Sequence, residues 1–587
     1  MGRLSQTMNN PLNLAPIQRL LEDLYGRDKA ENILSRLSVL MEKYAGRISD
    51  RKDRALTEKD AILITYGDQV QSVGKKPLRV LGSFCNRWVQ DRMSAIHLLP
   101  FFPYSSDDGF SVIDYREVDP GLGGWEDIEW IRDYFKLMFD LVLNHVSAES
   151  AWFKDFLQGG SSYQDYFIDI RDNPDLSTVV RPRTLPLLTK FPTADGMKQV
   201  WTTFSSDQVD LNYQNPDVLV EMVDILLDYV VHGAKFIRLD AIAYLWKQPG
   251  TSCIHLPQTH AVVQSLRAIL DVAAPYVCLI TETNVPHAEN ISYFGNGQNE
   301  AQLVYNFALP PLVLHTFLTG SSRALSRWAS ELELPSKLVT FFNFLASHDG
   351  IGVTPARNLI SSAEFENLIK QTIKHGGLVS YRSNPDGSQS PYELNINYFD
   401  ALSDPHAPEL AQTQIDRFIS AHAIMFALVG LPGIYFHSLF GSRSWIEGVH
   451  KSGANRAINR QKLDLVELER DLNDPFSLRA RIFSGMMDLI QKRSKLPALD
   501  PYGSQQVLQC GDTIFGVLRA DRDEKRFVVC LHSVAPEPVR AMIDPMRISP
   551  FRRTQWKDVF DQSFRKDLSQ PVYFAPYQVR WLIPVAR

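Results

Sequence analysis

The chain has 587 residues, 44% of them hydrophobic, and a formal net charge of −6 at pH 7. A chain of this length can bury several hydrophobic cores, which predicts a multidomain protein, and the negative charge argues against a nucleic-acid partner. The five cysteines are odd in number and widely spaced, so they predict neither a disulfide framework nor a CxxC metal site. Because the N-terminus lacks an apolar run and no stretch approaches the length of a membrane span, we expect a reduced, cytoplasmic protein without a membrane anchor.

The first element in chain order is a predicted helix over residues 15–45. Apolar residues recur there at helical spacing and define one face. That face is formed by Ile33, Leu37, Leu40, Met41 and Tyr44. A stripe of this kind indicates packing rather than function. We therefore assign residues 1–60 to an N-terminal helical extension.

Eight apolar, β-branched or aromatic segments follow, separated by helical stretches. A strand that is buried in a parallel sheet has this composition, and eight such strands predict an α/β protein with a (β/α)8 TIM barrel. The reactive groups of such a barrel lie at the carboxyl ends of its strands. The eight segments are Ala61–Tyr66, Ala95–Leu99, Asp140–His145, Phe236–Ala241, Ile280–Asn284, Gln302–Tyr305, Phe344–Asp349 and Gly433–Phe436.

Three further segments interrupt or follow the predicted barrel. Residues 147–203 are too long for a simple connection and form a predicted inserted domain, so the barrel is split into residues 61–146 and 204–498. Residues 376–402 carry the turn sequence Asn-Pro-Asp-Gly at 384–387 and predict a mobile loop over the pocket, the lid insertion. Beyond residue 499, apolar residues alternate with polar ones, which predicts a C-terminal β-sandwich over 499–587.

Three of the polar clusters at predicted strand ends supply a carboxylate: Asp240, Glu282 and Asp349. A retaining glycosidase needs a nucleophile about 5 Å from an acid/base group, and Asp240 and Glu282 fit these roles. Arg238 precedes Asp240 by two residues, so it shares a strand face with Asp240 and would keep that carboxylate ionised. A poorly solvated Glu282 would hold its proton for the leaving oxygen. We expect His348 and Asp349 to contact hydroxyls of the sugar under attack.

With these residues in this order, the sequence resembles the α-amylase superfamily (glycoside hydrolase family 13) and, within it, the sucrose phosphorylase group. The resemblance extends from about Ala61 to the C-terminus. It implies that Asp240 is the nucleophile, Glu282 the general acid/base and Asp349 the transition-state stabiliser. It also implies a closed pocket for one glucosyl unit. The glucose-site positions implied in this way are Asp107, Phe110, His145, Gln208, Arg238, Tyr244, His348 and Arg456.

Water or phosphate could release the glucosyl unit, and a phosphorylase needs cations for phosphate. Arg181 and Arg183 resemble the arginine motif of sucrose phosphorylases, in which Arg183 matches the phosphate-contacting position, and arginine suits a bidentate phosphate contact. Tyr392 matches a lid tyrosine of the same group. The alternative is that the two arginines form a solvated surface pair, as a hydrolase would allow.

The acceptor is predicted from two stretches, Asp240–Lys247 and Thr281–His287. They resemble the glucosylglycerol and glucosylglycerate phosphorylases of the group more than its sucrose enzymes. Either enzyme would transfer an α-glucosyl unit to phosphate and give α-glucose 1-phosphate through a covalent glucosyl-Asp240 intermediate.

The lid favours a neutral acceptor. Glycerate carries a carboxylate, which requires its own arginine or lysine. The lid residues Gln389 and Glu393 are expected at the acceptor, but neither is a cation and Glu393 would repel an anion. We therefore expect 2-O-α-glucosylglycerol first and glucosylglycerate second. Lys247 and Arg382 remain candidates for a cation that would reverse this order.

Other readings stay open. They are a sucrose or sucrose 6'-phosphate phosphorylase, an α-glucoside hydrolase or transglycosylase, and a non-catalytic sugar-binding relative, which the three carboxylates disfavour. Asn144 matches a calcium ligand of the amylases, but the sucrose phosphorylase group resembles a branch that does without calcium. We expect no metal and no cofactor, with phosphate as a co-substrate. The expected partners are a small glucoside and phosphate, and the chain is expected to be a monomer or a homodimer.

Overall fold

The computed structural model describes residues 13–49, 55–172, 174–384, 386–543, 555–565, 567–568 and 570–585. The first twelve residues of the predicted N-terminal extension and Pro385 of the predicted lid turn lie outside the described residues. In the described part of the chain, no helix is both long enough and apolar enough to cross a membrane.

The N-terminal extension contains two helices, Ala15–Tyr25 and Arg27–Ala45. The prediction of one continuous helix is wrong at Gly26, whose φ of 80° is outside the helical range and is accessible to glycine at little cost. The second helix packs on the barrel helix Pro216–Val231 and buries the predicted apolar face. Its buried residues include Ile33, Leu37, Met41 and Tyr44, and Leu40 is partly buried.

Eight parallel strands close into a barrel, which confirms the predicted (β/α)8 architecture. Each strand pairs with the next barrel strand along the chain, and the last pairs with the first through Gly433 and Ile62. Their side chains are almost entirely buried, as expected for parallel strands covered by helices. The strands are Ile62–Thr65, Ala95–Leu98, Lys136–Val142, Ala234–Asp240, Cys278–Thr281, Leu303–Tyr305, Thr340–Asn343 and Leu431–Tyr435.

The seventh strand lies earlier in the chain than predicted. It ends at Asn343, and the predicted strand segment Phe344–Asp349 follows it as irregular backbone at the barrel mouth. Phe344 and Leu345 are buried there, so the apolar run belongs to a packed loop and not to a strand. Asp349 still follows a strand end, as the barrel argument requires.

Helices connect the strands and cover the outside of the barrel. Their bounds are Pro77–Trp88, Trp125–Arg132, Ala151–Leu157, Pro216–Val231, Pro257–Ala273, His287–Ile291, Leu309–Thr319, Arg323–Ser330, Ser362–Lys374, Tyr398–Leu402, Ala411–Ala427, Ile446–Ser452, Leu465–Asn473 and Leu478–Arg493.

The segment between the third and fourth barrel strands contains two antiparallel ladders. One joins His145–Ser147 to Gln208–Asp210 and the other joins Leu188–Thr193 to Gly196–Trp201. The first ladder begins directly after the third barrel strand, so it holds His145 and Gln208 at the barrel mouth.

The lid insertion is an antiparallel β-hairpin of strands Leu378–Ser383 and Gln389–Asn395. The short strand Ile351–Gly352, which follows Asp349, pairs with its second strand. The prediction of a loop is therefore wrong, because backbone pairing from the seventh barrel connection supplies the hairpin with a third strand.

The C-terminal region is a six-stranded antiparallel sheet with a two-stranded ladder packed against it. Trp556 and Leu531 of the larger sheet share a buried core with Val572 and Phe574 of the ladder, which agrees with the predicted sandwich. The strands of the sheet are Gln505–Leu508, Ile514–Ala520, Phe527–Ser533, Trp556–Asp558, Phe564–Arg565 and Val579–Pro584, and those of the ladder are Val539–Ala541 and Val572–Phe574.

Candidate active site

One pocket at the carboxyl ends of the barrel strands gathers almost all of the predicted site residues. The predicted residues that line it are Asp107, Phe110, His145, Arg183, Gln208, Asp240, Tyr244, Glu282, His348, Asp349, Tyr392, Glu393 and Arg456. Arg238 lies directly behind the pocket, whereas Gln389 is exposed on the lid hairpin and does not line the pocket. The expectation that Gln389 reaches the acceptor is therefore wrong.

Arg238 orders the carboxylates at the base of the pocket. Its Nη1 lies 2.8 Å from Asp240 Oδ1, while its Nη2 is 3.9 Å from Glu282 Oε2. The guanidinium is thus a hydrogen-bond donor to Asp240 and only a more distant charge for Glu282. Glu282 Oε2 also accepts a hydrogen bond from the backbone N–H of Ala241 at 3.3 Å.

The pKa values of these two carboxyl groups are both raised by burial. Burial raises the pKa of Glu282 to about 7, because the lowering effect of Arg238 is smaller and the charge of Asp240 adds to the rise. Burial also raises the pKa of Asp240, against the closer charge of Arg238. Arg238 favours the charged form of Asp240 more strongly because it is nearer, so Glu282 is the better proton holder of the pair.

A buried Asp140 binds the same nitrogen of Arg238 that contacts Asp240. Asp140 Oδ1 accepts a hydrogen bond from Arg238 Nη1 at 2.5 Å, and its Oδ2 lies 2.6 Å from His97 Nε2. Both residues are fully buried in the second and third barrel strands. Sequence reasoning assigned no role to Asp140 or His97, although the strand containing Asp140 was singled out.

Asp349 lies among cations. Its Oδ1 is 2.6 Å from Arg456 Nη1 and 3.6 Å from Arg460 Nη2, and its Oδ2 is 3.4 Å from His348 Nε2. Burial alone would raise the pKa of Asp349, but Arg456, His348 and Arg460 outweigh burial and hold that pKa well below its usual range. This carboxylate is therefore ionised throughout the neutral range.

Aromatic and amide groups form the opposite wall. The ring of His348 stacks on Phe110 with a centroid separation of 4.8 Å. His145 Nε2 lies 3.0 Å from the carbonyl oxygen of Phe110 and 3.2 Å from Gln208 Nε2. Burial lowers the pKa of His348 well below its usual value, so this ring is neutral and can donate and accept hydrogen bonds.

The loop that carries Asp107 and Phe110 is held in place by Asp207. The hydroxyls of Ser105 and Ser111 donate to Asp207 Oδ2 at 2.6 and 2.7 Å. Asp107 has a φ of 52°, a left-handed conformation that is uncommon for a residue with a side chain. Asp207 therefore stabilises a strained loop at the pocket, a role that the sequence did not reveal.

Arg460 is a second residue that sequence reasoning did not select, although it ends the quoted stretch that begins at Asn455. Its Nη1 lies 2.5 Å from Asp108 Oδ2, and its Nε donates to the carbonyl oxygen of His348 at 2.8 Å. It thus links the loop before Phe110 to the segment that carries His348 and Asp349.

Tyr244, Arg183 and Tyr392, which are the residues expected toward the acceptor, also line the pocket, and Arg183 Cζ lies 5.8 Å from the centroid of the Tyr392 ring. Glu393 does not present a free carboxylate, because its two oxygens bind Arg456. The expectation that Glu393 repels an anionic acceptor is therefore wrong. The remaining lining residues, which sequence reasoning did not select, are Phe204, Ala241, Ala243, Thr283, Asn284, Val285, Phe307 and Gly350.

Lys247 is buried away from the acceptor. Its Nζ lies 2.6 Å from Asn144 Oδ1 and 2.7 Å from Asp210 Oδ2. Asp210 also accepts hydrogen bonds from the N–H and the hydroxyl of Thr203 at 2.8 and 2.6 Å. Lys247 is therefore unsuited as an acceptor cation, and its ammonium contacts the asparagine that matched a calcium ligand. Within the described ranges, no three His, Cys, Asp or Glu side chains are grouped so as to hold a metal ion.

Comparison with known proteins agrees with this geometry. The family model for the α-amylase catalytic domain matches residues 92–343. A glucosylglycerate phosphorylase of Spirochaeta thermophila is 47% identical over 97% of this chain and 99% of its own length, and one of Escherichia coli is 45% identical over 86% and 90%. A glucosylglycerol phosphorylase of Marinobacter adhaerens is 30% identical over 75% of this chain and 88% of its own.

A solved structure shares the fold. The sucrose 6F-phosphate phosphorylase from Thermoanaerobacter thermosaccharolyticum superposes with a TM-score of 0.72 at 25% identity, covering 89% of this chain and 99% of the other. The chain therefore belongs to the α-amylase family of glycoside hydrolase-type enzymes. It is an enzyme, and more particularly a glycoside phosphorylase.

Proposed function

We propose that the enzyme transfers an α-glucosyl unit from glucosylglycerate to inorganic phosphate, releasing glycerate and α-glucose 1-phosphate. The observation that carries the proposal is the 47% identity, over nearly the whole of both chains, with a protein named for this activity. The earlier preference for glycerol lacks support, since the relative named for glucosylglycerol is 30% identical. The pairing of Glu393 with Arg456 also removes the argument against an anionic acceptor.

In the proposed first step, Asp240 attacks the anomeric carbon while Glu282 gives its proton to the leaving glycerate oxygen. The bond between that carbon and the glycerate oxygen breaks, and an ester bond to Asp240 forms. The raised pKa of Glu282 supports a protonated acid near neutral pH. Arg238, hydrogen-bonded to Asp240, supports an ionised nucleophile.

In the proposed second step, phosphate enters after glycerate leaves and attacks the same carbon from the side that glycerate vacated. Glu282, now ionised, accepts the proton of phosphate, and the ester bond to Asp240 breaks. Two displacements at one carbon retain its configuration. Asp349, with Arg456 and His348 beside it, would bind hydroxyls of the sugar ring as charge develops on it.

Phosphate release from α-glucose 1-phosphate tests the proposal directly. The enzyme would be incubated with this donor and one acceptor at a time, and the acceptors would be glycerate, glycerol, fructose and fructose 6-phosphate. We expect glycerate to give the fastest phosphate release and a glucoside with the α configuration. Fastest release with glycerol or fructose would contradict the proposal, and equal release without any acceptor would indicate a hydrolase.

A further inference from the structure

Four arginines gather where the lid hairpin meets the inserted segment and the connection after the seventh strand: Arg181, Arg183, Arg357 and Arg382. We call this group the arginine rim. In the described part of the chain, their hydrogen bonds and ring contacts are with neutral groups and none has a carboxylate oxygen within ion-pair distance, although the charge of Arg382 acts on Glu289 and opposes the rise that burial causes in the pKa of that carboxyl. Arg357 Nη2 donates to the carbonyl oxygen of Pro391 at 3.0 Å, and Arg382 Nε lies 3.4 Å from Ser390 Oγ.

The arginine rim differs from the cations deeper in the pocket. Arg238, Arg456 and Arg460 each lie within 3 Å of a carboxylate oxygen. In the rim, burial together with the charge of Arg382 lowers the pKa of Arg357, so these two guanidiniums are close enough to repel each other. Arginines that lie close together without carboxylate partners form a binding site for an anion. The anion reduces the repulsion between them and accepts hydrogen bonds from their N–H groups.

Arg183 lines the pocket, whereas Arg382 does not line it and acts on it from the lid hairpin. Both lower the pKa that burial raises at Tyr244, a residue that lines the pocket beside Glu282. Arg382 lies on the first lid strand, opposite Ser390 and therefore near Tyr392 on the second strand. Arg183 approaches Tyr392 from the inserted segment.

The other cations near the acceptor are already engaged. Lys247 is bound to Asp210 and Asn144, and Arg456 is shared between Glu393 and Asp349. An acceptor that carries a carboxylate therefore has the rim as its available source of positive charge in the described structure. Arg181 and Arg357 donate to the backbone carbonyls of Leu185 and Pro391. Because Arg183 matches the position expected to contact phosphate, Arg382 is left for the second anion.

We propose that Arg382 is a specificity-determining residue, which binds the carboxylate of an acidic acceptor, while Arg183 serves phosphate. The proposal rests on the proposed function, since it takes glycerate as the acceptor. Glycerate leaves the site before phosphate enters it, so each anion meets the rim without the other present.

The experiment compares glycerate with glycerol as acceptors, with α-glucose 1-phosphate as the donor. The two acceptors differ only in that glycerate has a carboxylate where glycerol has a hydroxymethyl group. For R382Q we expect kcat/KM for glycerate to fall about ten-fold or more, with glycerol changed less than about two-fold. R382K, which keeps the charge, should recover part of the loss. R171Q, which removes an exposed arginine of the inserted segment that pairs with Asp169 outside the rim, is the matched control and should leave the ratio unchanged.

The phosphate Michaelis constant in the degradative direction provides a cross-check. R382Q should affect glycerate more than phosphate, and R183Q should do the reverse. Wild-type enzyme that ignores glycerate would contradict the proposed function itself. Wild-type enzyme that uses glycerate, combined with an unchanged glycerate-to-glycerol ratio in R382Q, would overturn the role of Arg382 and leave the proposed function intact. Equal loss with both acceptors would also overturn it.

Discussion

Arg456 binds the carboxylate of Glu393 through two nitrogens, with Nε 3.1 Å from Oε2 and Nη2 2.5 Å from Oε1. The pair is largely buried, and the third nitrogen of the same guanidinium contacts Asp349. The lid strand is thereby tied to Asp349 by one arginine. The charge of Glu393 is therefore neutralised by Arg456 inside the protein and does not repel an incoming acceptor.

A first prediction follows for E393Q. Loss of a charge-assisted, bidentate contact of about 1.5–3 kcal/mol should lower kcat/KM about ten-fold or more, to a similar extent with glycerate and glycerol. Parallel acceptor titrations with α-glucose 1-phosphate would measure this. If the substitution improved glycerate selectively, Glu393 would be acting as a free anion against the acceptor after all.

The nucleophile is tested by D240N, which keeps the shape of the side chain and removes its charge. We expect turnover to fall by several orders of magnitude, because the covalent step loses its attacking group. Mass spectrometry of enzyme mixed with α-glucosyl fluoride should detect a glucosyl adduct on wild type and none on the variant. Retention of more than a few per cent of the turnover, at about wild-type thermal stability, would reject the assignment.

The pH dependence of kcat/KM should report the ionisation of the Glu282 carboxyl group. As the proposed proton donor of the first step, Glu282 must be protonated, so kcat/KM for the glucoside should be steady below the pKa of about 7 and fall as the pH rises through that value. The fall should approach about ten-fold per pH unit. E282Q, which has no proton to lose there, should be slow and should lack this alkaline limb. A limb that persists in E282Q belongs to another group.

Phosphate recognition is tested by R183A. Removal of a contact of about 1.5–3 kcal/mol should raise the Michaelis constant for phosphate about ten-fold or more, while slow hydrolysis by water continues. The ratio of glucose to glucose 1-phosphate formed from the glucoside should therefore increase. An unchanged ratio would show that Arg183 does not bind phosphate and would favour the alternative that Arg181 and Arg183 are a solvated surface pair.

Stability should depend strongly on Lys247. Substitution K247M leaves Asp210 as a buried charge without its cation, at a cost of about 3–5 kcal/mol. Thermal unfolding of K247M, D210N and K247M/D210N would measure this. The double variant should lose less stability than the sum of the losses of the two single variants. K525M, which changes an exposed lysine, is the control, and we expect it to shift stability by less than about 0.5 kcal/mol.

The barrel and its three carboxylates could be predicted because they are local patterns. A buried strand followed by a polar cluster is visible within about eight residues, and the order of eight such strands determines which ends meet. The seventh strand was misplaced since Phe344 and Leu345 are as apolar as a strand, although they pack in a loop. The break between the first two helices escapes prediction because a single glycine, here Gly26, is also tolerated inside a helical pattern.

The errors at the acceptor arose from partners that are distant in sequence. Glu393 lies 63 residues from Arg456, and Lys247 lies 103 residues from Asn144. No local pattern indicates that a lid carboxylate is already paired or that a lysine is already buried. Treating the lid as a loop places Gln389 at the pocket, whereas Gln389 begins the second lid strand next to the hairpin turn, where its side chain is exposed. Asp140 and Asp207 act only through the residues they hold.

The contact of Lys247 with Asn144 and Asp210 joins the end of the third barrel strand to the start of the fourth connection. A site for a dissolved ion at such a junction would be occupied according to the concentration of that ion, so the stability that the ion contributes would decline on dilution. The ammonium of Lys247 is covalently attached to the chain, so its local concentration is set by the backbone alone. The junction next to the pocket therefore keeps its positive charge whatever the ionic content of its surroundings.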